Sequence, residues 1–297
     1  MLLNSEPAWL SIELTGLTLA KVRIQPFFSQ NQQDKFTSVC MQPTTIPSST
    51  PLLTGLSAEA KNLIIEILSF CQAHSDEKFV RKYAIYFREG TSEYDAYGVD
   101  PQLTVGKVKE LSGRKEITID LLLEAAPELL KSGKQEEAMF LLLLVEKNLK
   151  QLEAHHYANI SKWFEVGIIN WAQCDMLCAK ILPWFFLKKM VPLSNLAEWQ
   201  KSPFRFQRRA IAVPLIKLLK STDDYSQFFE LITPLMMDTE RVVHQGLGWF
   251  LRESWKKQPA QTEEFLMGWK DQSARLIFQY ATEKMTKEQR LRFRKSK

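Results

Sequence analysis

From Ser57 onward the apolar residues recur with helical spacing. Leu63, Ile64, Ile67, Leu68 and Cys71 follow Ser57 on one face, the stripe that an amphipathic helix turns toward a core. Asp76 stands in capping position before Phe79, Val80, Tyr83 and Phe87, and Asp100-Pro101 pairs an N-cap residue with a proline suited to the first turn. Thr118 or Asp120 opens a helix over 121–131, which Gly133 ends. The same spacing predicts helices over 134–149, 154–166, 172–182, 193–200, 203–220, 223–236, 238–257, 261–269, 272–284 and 287–294. Their connections are short, so consecutive helices pack antiparallel and stack as pairs.

Residues 1–55 read differently. The stretch 9–24 alternates in places (Leu10, Ile12, Leu14), and 37–54 is rich in Thr, Ser and Pro. The second stretch has too little apolar surface to offset its ordering entropy and reads as a linker. The chain therefore divides into an unassigned extension and linker, 1–55, and a helical domain, 56–297. For the latter the expected class is all-α, a solenoid of antiparallel HEAT-like helical pairs with a concave basic face. The repeats show no exact period, which leaves a compact helical bundle as the alternative.

Composition agrees with helices: 45% of the 297 residues are hydrophobic and only 11 are glycine, enough for a continuous core without many turns. The net charge of +5 is uneven. Residues 1–180 carry 18 Lys and Arg against 22 Asp and Glu; residues 181–297 carry 21 against 12. A basic C-terminal half implies a polyanionic partner or a Lys-rich solvated surface. Four scattered cysteines do not make a disulfide framework and read as reduced thiols. The start lacks the layout of a signal peptide, and the longest apolar runs are too short to span a bilayer. The expectation is a cytoplasmic protein, bacterial in type and working on the nucleoid, without signal peptide or transmembrane segment.

The chain has no GxGxxG, phosphate-binding Walker loop, GxSxG elbow or HExxH spacing. Cys174 and Cys178 lie one turn apart; without a second pair or a nearby histidine they read as small core residues rather than metal ligands. Trp171 and Asp175, at i and i+4, project from one helix face. An indole beside a carboxylate suits a sugar and a nearby cation, although a core tryptophan and a surface acid would look the same. Arg205, Arg208 and Arg209 open a helix, where cations oppose the dipole unless an anion faces them. Gly246 and Gly248 inside a helix cost about 1 kcal/mol each relative to alanine, which points to close packing or to a closely approaching ligand. Trp249 and Arg252 share a face of that helix.

The order Trp171-x3-Asp175, then Phe206-x2-Arg209, then Gly-x-Gly-Trp249-x2-Arg252-Glu253, resembles the DNA alkylation repair family of the AlkD type. Tyr97-Gly98-Val99 and the segment from Ala274 to Lys284 are similar to that family as well, so the likeness runs over roughly residues 77–297. It implies a HEAT-like solenoid whose basic face cradles duplex DNA. It also implies a monofunctional glycosylase that removes cationic alkylated purines such as 3-methyladenine and 7-methylguanine, the first step of base excision repair. By this resemblance Asp175 is the catalytic carboxylate, and Trp171 and Trp249 pack against the deoxyribose. Arg209 contacts the DNA backbone, with Arg205, Arg208, Arg252 and Lys256 as further DNA contacts. Ala172 stands where many members carry an acid, and Phe206 where tryptophan is usual. No cofactor or metal is expected; the partner is duplex DNA containing alkylated bases, with no membrane, and the protein is a monomer. The other readings are a non-catalytic HEAT-like nucleic-acid-binding protein and a protein scaffold.

Overall fold

A computed structural model describes residues 53–87 and 94–296. The expectations for 1–52, an alternating stretch and a linker, lie outside the described residues. The helices belong to one unit that begins at Leu56.

The sequence-read caps are present. Ser57 accepts the N–H of Ala60 at the start of α1 (Ala58–Ala73), and its own N–H and hydroxyl donate to Glu124 at 2.6 and 2.8 Å. Asp76 caps α2 (Glu77–Ala84) and Asp100 caps α3 (Pro101–Ser112). Thr118 caps α4 (Ile119–Lys131). Helix α5 (Gln135–Lys147) is buried at every residue from Gln135 to Val145, so it forms the centre of the N-terminal half.

Tyr97-Gly98-Val99 ties this half together. The Glu136 carboxylate accepts the N–H groups of all three residues at 2.8–3.1 Å. Gly98 has φ 81°, and a Cβ there would lie 2.1 Å from the Asp76 carbonyl oxygen, so only glycine fits.

The expected helix 154–166 is two, α6 (His156–Ser161) and α7 (Trp163–Val166). The expected helix 172–182 is longer and irregular. Helix α8 (Trp171–Met176) runs into a π-helical turn, Leu177–Ile181, and then α9 (Leu182–Leu187). Pro183 explains the wide turn: it lacks an N–H, and its ring would meet the carbonyl one turn earlier in an unbroken α-helix. Residues Leu193–Lys201 are 3-10 rather than α. Helix α10 (Arg205–Leu218) follows, then α11 (Ser226–Ile232), where Thr233-Pro234 shifts the chain into a 3-10 turn. The remaining helices are α12 (Arg241–Trp255), α13 (Pro259–Trp269), α14 (Arg275–Ala281) and α15 (Lys287–Leu291).

The unit is an all-α stack; among the described residues there is no strand, only an isolated bridge between Asp95 and Lys134. Helices α5, α8, α10, α12 and α14 form a continuous series, each packed on the next. The two glycines of α12 lie at opposite contacts in this series. Gly246 faces the Arg209 side chain of α10, and Gly248 faces Tyr280 and the Ile277 carbonyl of α14. Close packing of one helix on the next accounts for Gly248, and the close approach of the Arg209 side chain for Gly246. No described helix is long and apolar enough to cross a membrane.

Candidate active site

The site begins with the N-terminus of α8. Asn170 is fully buried; its side-chain oxygen accepts the N–H of Gln173 at 3.0 Å, and its amide donates to Gln135 of α5 at 2.8 Å. Gln173 in turn accepts the N–H of Ile169. These bonds hold the helix start against α5 and present Trp171 and Asp175, both half-buried, one turn apart. The Trp171 ring stacks on Phe87 at 5.3 Å between centroids, and Phe87 stacks on Tyr94 at 4.5 Å. The Trp171 indole N–H donates to the Tyr86 carbonyl at 3.4 Å. Spacing alone did not point to Phe87, Tyr86 or Tyr94 as site neighbours; an aromatic run ending a helix was the available signal.

Asp175 meets Arg209 across the α8–α10 contact. The guanidinium donates from Nε and Nη2 to the two carboxylate oxygens, both at 2.8 Å, and from Nη1 to the Val242 carbonyl of α12 at 2.6 Å. The arginine side chain is 6% exposed and the aspartate 18%. Burial lowers the pKa of Arg209, but the charge and hydrogen bonds of Asp175 outweigh it and raise the group above its ordinary value. A bidentate pair of this kind fixes the plane of the carboxylate as well as its position. Two of the carboxylate's lone-pair directions remain for a substrate or water.

The anion facing the arginines of α10 is thus supplied largely from within the chain. Arg208 donates to the Asp238 carboxylate at 2.6 and 3.2 Å and to the Ser202 carbonyl at 2.7 Å. Arg252 is 3% exposed and bonds Glu283 and Glu253. Lys256 also reaches Glu253, but from a more exposed position, and Arg205 lies half-exposed over the Phe206 ring. Trp249 stands half-buried on α12, one turn beyond Gln245, which donates to the Tyr280 hydroxyl at 3.1 Å. Of the residues singled out from sequence, Trp171, Asp175 and Arg209 are brought into one cluster. Arg208 and Arg252 belong to separate carboxylate pairs.

Other candidate chemistry lies elsewhere. Cys174 and Cys178 are buried with their sulfurs 3.8 Å apart, and burial pushes the Cys178 thiol well up, which disfavours the thiolate a metal needs. Asp120, His155 and His156 offer three ligand atoms within 4.8 Å of one another. However, His156 Nδ1 accepts the Glu153 N–H at 2.9 Å, which leaves the proton on Nε2, the atom turned to Asp120. A ligating histidine needs the reverse arrangement. A cavity of about 340 Å³ is lined by Phe186, Leu193, Ser221, Asp224 and Phe228 and shares no residue with the Asp175 cluster.

The fold and cluster define a class: an all-α stack that presents an arginine-held carboxylate beside a stacked indole. Residues 69–285 match the model of the DNA alkylation repair enzyme family, and the chain belongs to that family. Membership implies DNA as the partner. Among solved structures, a protein described as a predicted DNA alkylation repair enzyme from Enterococcus faecalis has the same fold. The TM-score is 0.59 over 72% of this chain and 98% of that chain, at 15% identity. No sequence among the curated proteins matches the chain.

Proposed function

We propose that this protein is a monofunctional DNA glycosylase. It hydrolyses the N-glycosidic bond of cationic alkylated purines, such as 3-methyladenine and 7-methylguanine, in duplex DNA. The observation that carries the reading is the Asp175 carboxylate, held at both oxygens by one buried guanidinium and set one turn from the Trp171 indole.

The chemistry needs little more. Alkylation leaves the purine with a formal positive charge, so it departs with the bonding electrons as a neutral base and needs no strong acid. The charge passes to the sugar as an oxocarbenium-like species, and a preorganised carboxylate stabilises it where it develops. A water oriented by the same carboxylate adds to C1′ and releases its proton, leaving an abasic sugar. The Trp171 and Trp249 faces add cation–π stabilisation of about 0.5–2 kcal/mol. Arg205 and Lys256, the more exposed of the candidate cations, suit the phosphate backbone. Arg209, buried and bound to both oxygens of Asp175, acts on the carboxylate.

The test is base release from methylated duplex DNA by the wild type and by Asp175→Asn, with melting and DNA affinity measured on both. We expect release by the wild type and a fall of about a hundredfold or more in the variant at nearly unchanged affinity. No release by the wild type overturns the glycosylase reading and favours a non-catalytic DNA-binding member. Equal release by both removes Asp175 from the mechanism.

A further inference from the structure

Helix α12 touches Arg209 at two points one turn apart. The Val242 carbonyl accepts from Nη1, and Gly246 lies beneath the aliphatic stem. A Cβ at 246 would stand 3.0 Å from Arg209 Cγ, 3.4 Å from Arg209 Nη1 and 3.4 Å from Val213 Cγ2. The first of these is closer than ordinary carbon contact. A surface arginine would swing aside. Arg209 cannot do so freely, because its far end is tied by three hydrogen bonds and its stem is enclosed. Displacing Cγ by a few tenths of an ångström turns the rigid guanidinium, and the two bonds to Asp175 turn with it. Gly248, two residues on, differs in kind. A Cβ there would meet the Tyr280 Cβ at 2.4 Å and the Ile277 carbonyl oxygen at 2.8 Å, so its neighbour is the next helix itself.

We propose that Gly246 is a positioning residue: its missing side chain forms the bed for the stem of Arg209, and through it sets the angle of the Asp175 carboxylate. Glycine is a poor helix former, so keeping it here trades helix stability for the geometry of that pair. The part of the proposal that concerns activity rests on Asp175 being the catalytic carboxylate; the part that concerns geometry does not.

The test compares Gly246→Ala with Gly248→Ala in the full chain. The readouts are thermal melting, the NMR signal and hydrogen exchange of Arg209 Nε–H, and single-turnover base release against DNA affinity. The Arg209 signal is assigned by its disappearance in Arg209→Lys. We expect Gly246→Ala to fold and to melt close to the wild type, its gain in helix propensity offset by the crowding of Arg209, while its Arg209 Nε–H signal shifts and exchanges faster. Base release should fall about tenfold, with DNA affinity held, as small misplacements of reacting groups do. Gly248→Ala should melt lower and leave the Arg209 signal in place. An unmoved Arg209 signal in Gly246→Ala overturns the proposal, and so does a variant that fails to fold, because the glycine is then a packing spacer. Where the wild type releases no base, the glycosylase reading fails, and the NMR and melting results alone decide the role of Gly246.

Discussion

Arg205 and Arg208 are three residues apart, yet their surroundings assign them opposite tasks. Arg208 is 14% exposed and faces an Asp238 carboxylate that is 6% exposed and also accepts the Glu240 N–H. Removing one partner of such a pair leaves a charge buried without compensation, at about 3 kcal/mol. Arg208→Ala should therefore lower the urea or thermal midpoint while leaving the salt dependence of DNA binding unchanged. Arg205, which lies over Phe206 and has no such carboxylate bond among the described residues, should behave in the reverse way. Arg205→Ala should keep its midpoint, lose affinity, and lower the slope of log K against log salt by about 0.9 if it neutralises one phosphate. Anisotropy titrations at several salt concentrations distinguish the two. The cluster was partly legible at this scale. Trp171 and Asp175 share a face by helical spacing, which one sequence displays. The Asp175–Arg209 bond joins residues 34 apart, and the stack of Trp171 on Phe87 spans a longer separation still, so neither leaves a periodic trace.

Helix existence followed from apolar spacing and caps because both are local. Ser57, Asp76, Asp100 and Thr118 each accept the backbone N–H that their positions implied. Helix regularity did not follow in the same way. Pro183 and Pro234 sit in strongly apolar runs, and the chain absorbs their missing donors by widening or tightening the turn instead of stopping. Between helices, the contact of α12 with α14 depends on Gly248. A methyl at that position should cost about 1–3 kcal/mol by overpacking, set against about 1 kcal/mol gained in helix propensity. Chemical denaturation of Gly248→Ala should thus show net loss. The α1–α3 contact offers a pH test. Glu66 bonds Arg114 and Lys107, and these cations hold its pKa at about 2, below the ordinary 4.5. A carboxylate depressed on folding stabilises above its unfolded value. Its contribution fades as pH falls from about 4.5 toward 2. Glu66→Gln should be less stable than wild type at pH 6, and the gap should narrow on acidification through that window.

For the whole molecule, the excess of cations in residues 181–297 first suggested a polyanion, and family membership supports DNA as that partner. Several of those cations are nevertheless spent inside the stack: Arg209 on Asp175, Arg208 on Asp238, and Arg252 on Glu283 and Glu253. The same charges that mark the chain as basic also fasten its helices, so charge counted along a sequence overstates the field left for a ligand. The concealment of the Asp175–Arg209 pair has a kinetic consequence as well. Dissolved ions screen exposed charges within about a Debye length but scarcely reach a pair enclosed between helices. Raising salt from about 50 to about 200 mM should loosen the grip on DNA steeply. On the proposed function, the rate of base release in complexes already formed, measured in a single turnover at saturating protein, should barely change. Ionic strength would then decide how often this protein engages a damaged site, and not how fast it works once there.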